Sequence, residues 1–340
     1  MKLAVVGLGS MGKRRLRNLS AIGERDLAGF DPRADRRAEV GERHGIPTFD
    51  DFGRLMVWGP DALVISTPPD LHMTYALRAV EAGVPFFTEA GVPDERLPSL
   101  IGQLRAKGVV GVPSCTMRFY PGPKRLKSVI ASGKIGRPLV WTHHSGQYLP
   151  DWHPWETPET FYVSKRDTGG CREIVAFELV WLTDVLGPVC SVSGQNAKIS
   201  DLALDIDDVY QLQVRHESGA MGQLTVDVLA RAPVRHCRVI GSEGTVEWDF
   251  TSKAIRLYTA GAGTWVQEAL STGTVEAGYV NPEEPYIEEM RAFVRAARRE
   301  APPIYTYEED LAVLRVLLAA EESSRDAVRK AVAENKAGVQ

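Results

Sequence analysis

With 340 residues, the chain is longer than one hydrophobic core usually supports, so two domains are expected. Its 44% hydrophobic and 25% charged residues are the ordinary mixture of a globular protein. The 40 basic and 44 acidic side chains leave a net charge of −4, which offers no electrostatic footprint for a nucleic acid.

No apolar run approaches the roughly 18 residues that span a bilayer, and no signal-peptide pattern is present. The four cysteines form no pair with metal-like or redox spacing. We therefore expect a cytoplasmic protein that binds neither membrane nor nucleic acid. The carboxylates of 205–208 lack the spacing of a calcium loop, so no metal site is expected.

The first third of the chain alternates apolar strands with amphipathic helices. The predicted strands are 3–6, 27–30, 62–66, 85–88 and 109–112. The predicted helices between them include 14–22, 71–82 and 97–106. This alternation is typical of an α/β, doubly wound parallel sheet, and it predicts a Rossmann domain at residues 1–118.

A glycine-rich turn follows the first strand and opens the first helix. Gly7 permits the tight turn, Gly9 lets the backbone approach a pyrophosphate, and Gly12 lets the helix pack on the strand. Ser10 and Met11 lie at the helix start, where free amides and the helix dipole attract phosphate. A lone G-x-G-x-x-G is weak, but this context predicts a dinucleotide site.

Asp31 ends the second strand and is expected to accept hydrogen bonds from both ribose hydroxyls of the cofactor. A carboxylate there repels a 2′-phosphate, which favours NAD over NADP. Arg33, Arg36 and Arg37 follow closely and could instead pair with that phosphate. The sequence predicts NAD and does not exclude NADP.

From about residue 119 the pattern changes to strands joined by turns, with helices at 284–299 and 308–328. The predicted strands are 139–146, 189–197, 209–215, 221–229, 237–240 and 245–249. Alternation within 208–214 indicates a sheet with one solvated face. We expect a second, α+β domain at residues 119–340 that binds substrate.

Several motifs together resemble the Gfo/Idh/MocA oxidoreductases, the group of glucose-fructose oxidoreductase and inositol dehydrogenase. They are 66–72, 81–89, 118–121, 133–138 and 241–248. The resemblance implies a large, mostly antiparallel sheet in the second domain, whose open face joins subunits into a homodimer or homotetramer. It further implies a cofactor site lined by these residues: Thr67, Pro68, His72, Glu89, Ala90 and Arg118.

Two positions depart from the family pattern. Where the family carries Glu-Lys-Pro, this chain has Glu89-Ala90-Gly91. Where the family carries an aspartate and, four residues later, a histidine, the best alignment gives Glu173 and Phe177. Alanine and phenylalanine cannot accept a proton, so another group must serve, or the reaction differs from alcohol dehydrogenation, or the site only binds.

The segment 147–166 places aromatic rings in a polar, proline-rich loop. Tyr148, Trp152 and Trp155 beside hydrogen-bonding groups suit the apolar faces and hydroxyls of a sugar. The alternative is a loop whose tryptophans are simply packed on the domain surface. Phe177 and Arg172 are further substrate-site candidates, Arg172 as a carboxylate or phosphate binder.

Four groups are candidates for the missing acid or base. His153 titrates near neutral pH, whereas Glu173 would need a raised pKa and Tyr162 and Lys165 a lowered one. We predict that Glu173 carries the proton, with His153 as its alternative or partner. The sequence thus favours a hydride-transferring oxidoreductase acting on a sugar derivative. A silent NAD-binding sensor, or an enzyme that recycles its cofactor during elimination, hydrolysis or epimerisation, stays open.

Overall fold

The computed structural model describes residues 1–152, 162–271, 273–276 and 281–326. Its first sheet has six parallel strands in the order β3-β2-β1-β4-β5-β6. The strands are β1 Leu3–Val6, β2 Leu27–Phe30, β3 Thr48–Phe49, β4 Ala62–Ile65, β5 Phe86–Thr88 and β6 Gly111–Pro113. This is the doubly wound order of a dinucleotide-binding domain, and the predicted Rossmann fold is confirmed.

Five helices connect these strands. They are α1 Ser10–Ala21, α2 Ala34–His44, α3 Phe52–Trp58, α4 His72–Glu81 and α5 Leu97–Lys107. The strands are apolar on both faces because helices cover both; β1 and β4 are buried at every residue. The carboxyl ends of the central strands therefore lie together at one edge, where a ligand of such a sheet binds.

The second sheet has eight strands in the order β14-β13-β12-β11-β7-β10-β9-β8. The strands are β7 Pro138–Gly146, β8 Val189–Ala197, β9 Val209–His216, β10 Met221–Asp227, β11 Val234–Gly241, β12 Gly244–Asp249, β13 Ala254–Thr259 and β14 Trp265–Ala269. β7 and β10 run parallel, and the other neighbouring strands run antiparallel. The expected mostly antiparallel sheet is confirmed, and the alternating burial along β9 leaves one face open.

Four further helices follow the first domain. They are α6 Pro121–Ala131, α7 Cys171–Leu186, α8 Glu284–Ala297 and α9 Tyr307–Asp326. Helices α6 and α7 pack on the second sheet, and α9 covers β8. Helix α8 instead returns to α1, where Met290, Phe293 and Val294 join the same core as Leu16 and Leu19. Within the described ranges, no helix is long and apolar enough to cross a bilayer.

Candidate active site

The glycine turn brings α1 tightly onto the end of β1. Gly7 has a φ of +93°, a conformation that favours glycine. A Cβ on Gly12 would lie 1.8 Å from the Gly7 carbonyl oxygen, so only glycine allows this approach. Beside Gly9 a Cβ would meet nothing nearer than Arg36 at 3.5 Å. Ser10 and Met11 begin α1 and keep part of their surface in solvent, as a phosphate-binding helix end requires.

Asp31 is fixed at the end of β2. Its carboxylate accepts hydrogen bonds from the Leu8 amide at 2.8 Å and the Arg33 amide at 2.9 Å. The Arg36 guanidinium lies 3.4 Å from the same carboxylate, whereas the Arg33 side chain pairs with Asp35. The Asp31 carboxylate is therefore held in place at the end of β2, and the Arg36 guanidinium already lies beside it.

Thr67 and Pro68 form the loop after β4, at the carboxyl edge of the sheet. Among the residues described, none bonds the buried hydroxyl of Thr67, so this group is left for a ligand. His72 lies beneath the loop, 2% exposed, with Nε2 2.9 Å from the Thr67 carbonyl oxygen. Burial lowers the pKa of His72, so the neutral ring donates to that carbonyl and supports the loop from below.

These features fit a dinucleotide. The glycine turn would admit a pyrophosphate, Asp31 would accept ribose hydroxyls, and the buried Thr67 hydroxyl, to which no described residue bonds, lies in the loop after β4. The glycine turn, Asp31 and Thr67 all lie at the carboxyl ends of β1, β2 and β4, and their roles in binding stay predictions.

Glu89 directly follows β5 and is held by a buried arginine from α1. Arg15 Nε and Nη2 each donate to the Glu89 carboxylate at 2.7 Å, and Ser66 Oγ donates to it at 2.9 Å. Arg15 also pairs with Glu289 of α8 at 2.9 Å and is fully buried. Arg15 could not be predicted as a site residue, because a buried pair of residues 74 positions apart leaves no local signal in the sequence.

Glu173 lies in the first turn of α7, next to Tyr162. The Tyr162 hydroxyl donates to Glu173 Oε1 at 3.2 Å. Burial raises the pKa of Glu173 to about 7; the Tyr162 bond opposes this shift, and the charge of Glu89 adds to it. Burial together with Glu173 also raises the pKa of Tyr162 well above its usual range, so the phenol stays protonated. The structure therefore brings Tyr162, Glu173 and Glu89 together.

The double glycine before α7 explains this neighbourhood. A Cβ on Gly169 would lie 2.3 Å from the backbone of Val163, so the turn at Tyr162–Ser164 packs directly against the start of the helix. That packing places the Tyr162 hydroxyl over Glu173. Phe177 lies one helical turn further along and is partly buried against the same core.

Two other aromatic residues of the segment 147–166 lie in different surroundings. Trp152 packs partly buried against the core, and in the part of the chain that the structure describes its indole N–H has no partner. Tyr148 lies under the Arg231 guanidinium, 3.5 Å from the ring centre. His153 and Trp155 lie outside the described residues, so their predicted roles stay predictions. Ala90 follows Glu89 and is partly exposed.

Three predicted site residues have other partners. Lys165 is exposed and pairs with Asp70 at 2.9 Å, so its ammonium group is engaged at the surface. Arg172 binds Glu321 of α9 at 2.6 Å and the Asp167 carbonyl, so its donors are committed within the protein.

Arg118 likewise has partners within the protein. Its guanidinium donates to the Val180 carbonyl at 3.1 Å, pairs with Glu309 at 3.3 Å, and stacks on Tyr305 at 4.3 Å. It ties α7 to the carboxy-terminal segment. These contacts engage the Arg118 guanidinium within the protein, and its expected role at the cofactor stays a prediction.

Family models match both halves of the chain. Residues 1–91 match the oxidoreductase family with an NAD-binding Rossmann fold, and residues 124–247 match the GFO/IDH/MocA C-terminal domain. The chain is 25% identical over 262 residues to scyllo-inositol 2-dehydrogenase (NAD(+)) of Bacillus subtilis, covering 72% of this chain and 73% of that protein. It is 34% identical to inositol 2-dehydrogenase of Pseudomonas savastanoi, over 41% of this chain and 44% of that protein.

Solved structures share the whole fold. An oxidoreductase from Agrobacterium radiobacter, solved with NAD+, L-tartaric acid and magnesium, superposes with a TM-score of 0.86 at 15% identity and covers 96% of this chain and 97% of its own. Levoglucosan dehydrogenase in complex with NADH gives 0.83 at 19% identity, with the same coverage. At these identities the likeness establishes the fold alone.

Proposed function

The chain belongs to the Gfo/Idh/MocA oxidoreductase family, and from that premise we propose that it oxidises a secondary alcohol of a sugar, cyclitol or sugar derivative. NAD is the proposed hydride acceptor, and Glu173 the proposed acceptor of the hydroxyl proton. Several relatives are named for reactions on polyhydroxylated rings, the inositol dehydrogenases among the sequence relatives and levoglucosan dehydrogenase among the structural ones.

The cofactor choice rests on Asp31. A bound NAD supplies a nicotinamide ring that accepts hydride. The chain's part is to hold the ribose at Asp31, the pyrophosphate at the Gly7–Gly12 turn, and a polar group at the Thr67 hydroxyl. Arg36, which lies beside Asp31, partly offsets the repulsion of a 2′-phosphate, so the preference for NAD is expected to be moderate.

The protonation state of Glu173 carries the proposal. A carboxyl group with a pKa of about 7 is about half ionised at neutral pH, so it can accept a proton and return it. The Tyr162 hydroxyl donates to the Glu173 carboxyl group and orients it, and Arg15 binds Glu89 nearby. Neither Ala90 nor Phe177 offers a group that could do this work.

The test is the pH dependence of turnover for wild-type protein and Glu173→Gln. The wild type is expected to gain activity as pH rises through about 7, because the carboxylate form is the base. Glu173→Gln is expected to lose at least about tenfold in kcat with the affinity for NADH unchanged. Glu217→Gln, an exposed turn residue, is the matched control and should behave as wild type. Full activity of Glu173→Gln would contradict the assignment and direct attention to His153.

We further propose that the open face of the second sheet joins two subunits. Val140, Met221 and Ile240 are 47%, 55% and 38% exposed, and they lie side by side across β7, β10 and β11. Such an apolar row suits contact with a second copy. Light scattering is expected to give a dimer or tetramer for wild type and a smaller species for Val140→Lys; a monomeric wild type would contradict the proposal.

A further inference from the structure

A cavity distinct from the cofactor edge opens in the second domain. It lies at the end of β7 and the start of β11, and its walls include Ser145, Gln147, Arg235, Phe250 and Thr251. Ser145 is buried and Gln147 is exposed, so the polar groups run from the floor of the cavity to its mouth. The walls therefore combine hydroxyl, amide and guanidinium donors with one aromatic ring.

A buried cluster of charges lies behind Arg235. Arg235 pairs with Glu178 at 2.9 Å, and His143 Nε2 lies 2.9 Å from the other oxygen of the same carboxylate. Glu178 is fully buried and also accepts from Trp181 at 2.6 Å. Although burial opposes ionisation, Arg235 and His143 lower the pKa of Glu178 to about 2, so it is an anion.

His143 helps to hold this cluster in place. Its Nδ1 lies 3.0 Å from the His236 carbonyl oxygen, and its Nε2 faces the Glu178 carboxylate. Glu178 therefore has Arg235 at one carboxylate oxygen and His143 at the other, and these contacts fix the Arg235 side chain at the cavity wall.

Arg235 itself has a donor to spare. Its Nε is buried, and within the residues described it has no hydrogen-bond partner, while its Nη2 is engaged by Glu178. A buried donor without a partner is unfavourable unless a ligand satisfies it. An oxyanion has the charge and the acceptor oxygens to do so.

We propose that this cavity binds the carboxylate or phosphate substituent of an acidic sugar substrate, with Arg235 as the charged group and Ser145 and Gln147 as hydrogen-bond donors. The inference deepens the proposed function and rests on it for the sugar. The cavity is small and open to solvent at its mouth, so it suits a substituent and not a whole sugar.

Isothermal titration of the full chain with inorganic phosphate and, separately, with acetate tests the site. The protein is first saturated with NADH so that the pyrophosphate position is filled. At least one of the two anions is expected to bind. Binding of phosphate would indicate a phosphoryl substituent on the substrate, and binding of acetate would indicate a carboxylate. Gln147→Glu places a like charge at the exposed mouth and is expected to weaken binding at least about tenfold.

Arg235→Gln is expected to abolish binding. If that variant fails to fold because Glu178 loses its partner, the anion affinity of Gln147→Glu alone decides whether the proposal holds. Arg238→Gln is the matched control, since it lies three residues further along β11, is exposed, and pairs with Glu247 instead. Unchanged binding in Gln147→Glu, or no binding of either anion to the wild type, overturns the proposal. Both readouts are independent of turnover, so they separate this proposal from a failure of the dehydrogenase proposal.

Discussion

Replacing Glu173 by glutamine is predicted to stabilise the protein at alkaline pH and to have little effect in acid. The carboxyl group has a pKa of about 7 in the folded protein, against an ordinary value of 4.5. Between these values the folded state binds more protons than the unfolded state, so wild-type stability falls as pH rises through this window. Glutamine keeps an acceptor for the Tyr162 hydroxyl and never ionises.

The size of the change in unfolding free energy follows from the difference between the two pKa values of Glu173. A difference of about 2.5 pH units corresponds to roughly 3 kcal/mol of unfolding free energy. Glu173 retains some surface in solvent, so we expect about 2 kcal/mol in practice. The variant should therefore gain about 2 kcal/mol over wild type between pH 5 and pH 8.

Urea unfolding of both proteins at several pH values from 5 to 8 provides the measurement, with the difference in unfolding free energy plotted against pH. Burial also raises the pKa of Asp310 to about 7, but that group is common to both proteins and cancels in the difference. Glu217→Gln should show no such trend. A difference that stays flat from pH 5 to pH 8 would refute the assignment of a desolvated Glu173.

Three further changes test the rest of the site. Gly12→Ala places a Cβ 1.8 Å from the Gly7 carbonyl oxygen, so titration should show NADH affinity reduced by more than about tenfold; unchanged affinity would contradict cofactor binding at the glycine turn. Asp31→Ser should reduce the ratio of NADH affinity to NADPH affinity at least about tenfold in the same assay. An unaltered ratio would mean that Asp31 does not select the cofactor. Ala90→Lys combined with Phe177→His should leave kcat for alcohol oxidation within about tenfold of wild type, because Glu173 already accepts the proton; alcohol oxidation shown by the double variant and absent from the wild type would mean that the parent reaction is not ordinary dehydrogenation.

Strand positions in both domains could be predicted because their burial pattern is local. β1, β2 and β8 have the predicted bounds, since apolar runs or regular alternation mark them. Helix α2 was missed because Val40 alone among its residues is buried, so it has no apolar face to detect. Strand β14 was missed for the same reason, as every residue in it is exposed.

Helix α6 shows a different failure. Its first turn contains Pro121, Gly122 and Pro123, directly after the domain boundary that the sequence predicts at about residue 119. Proline is favoured in the first turn of a helix, where its missing N–H costs no hydrogen bond. The same residues that break a helix in its interior here begin one.

The site was predictable where the chemistry is local. Glu173 was predicted to carry the proton, which requires a raised pKa, and burial raises its pKa to about 7. The partners of Arg118 and Arg172 could not be anticipated, because Glu309 and Glu321 lie 191 and 149 residues away on a packed helix. Charge pairing across such distances depends on tertiary structure alone.

The absorbance at 340 nm during incubation of the protein with NAD and a panel of sugars, sugar acids, nucleotide sugars and cyclitols tests the central claim most directly. The account predicts a sustained rise with at least one polyhydroxylated ring, together with a matching oxidised product, and a loss of at least about tenfold in Glu173→Gln. Product formed without any net absorbance change would indicate internal recycling of the cofactor. Binding of NADH and sugar with neither product nor absorbance change would contradict the assignment of an oxidoreductase.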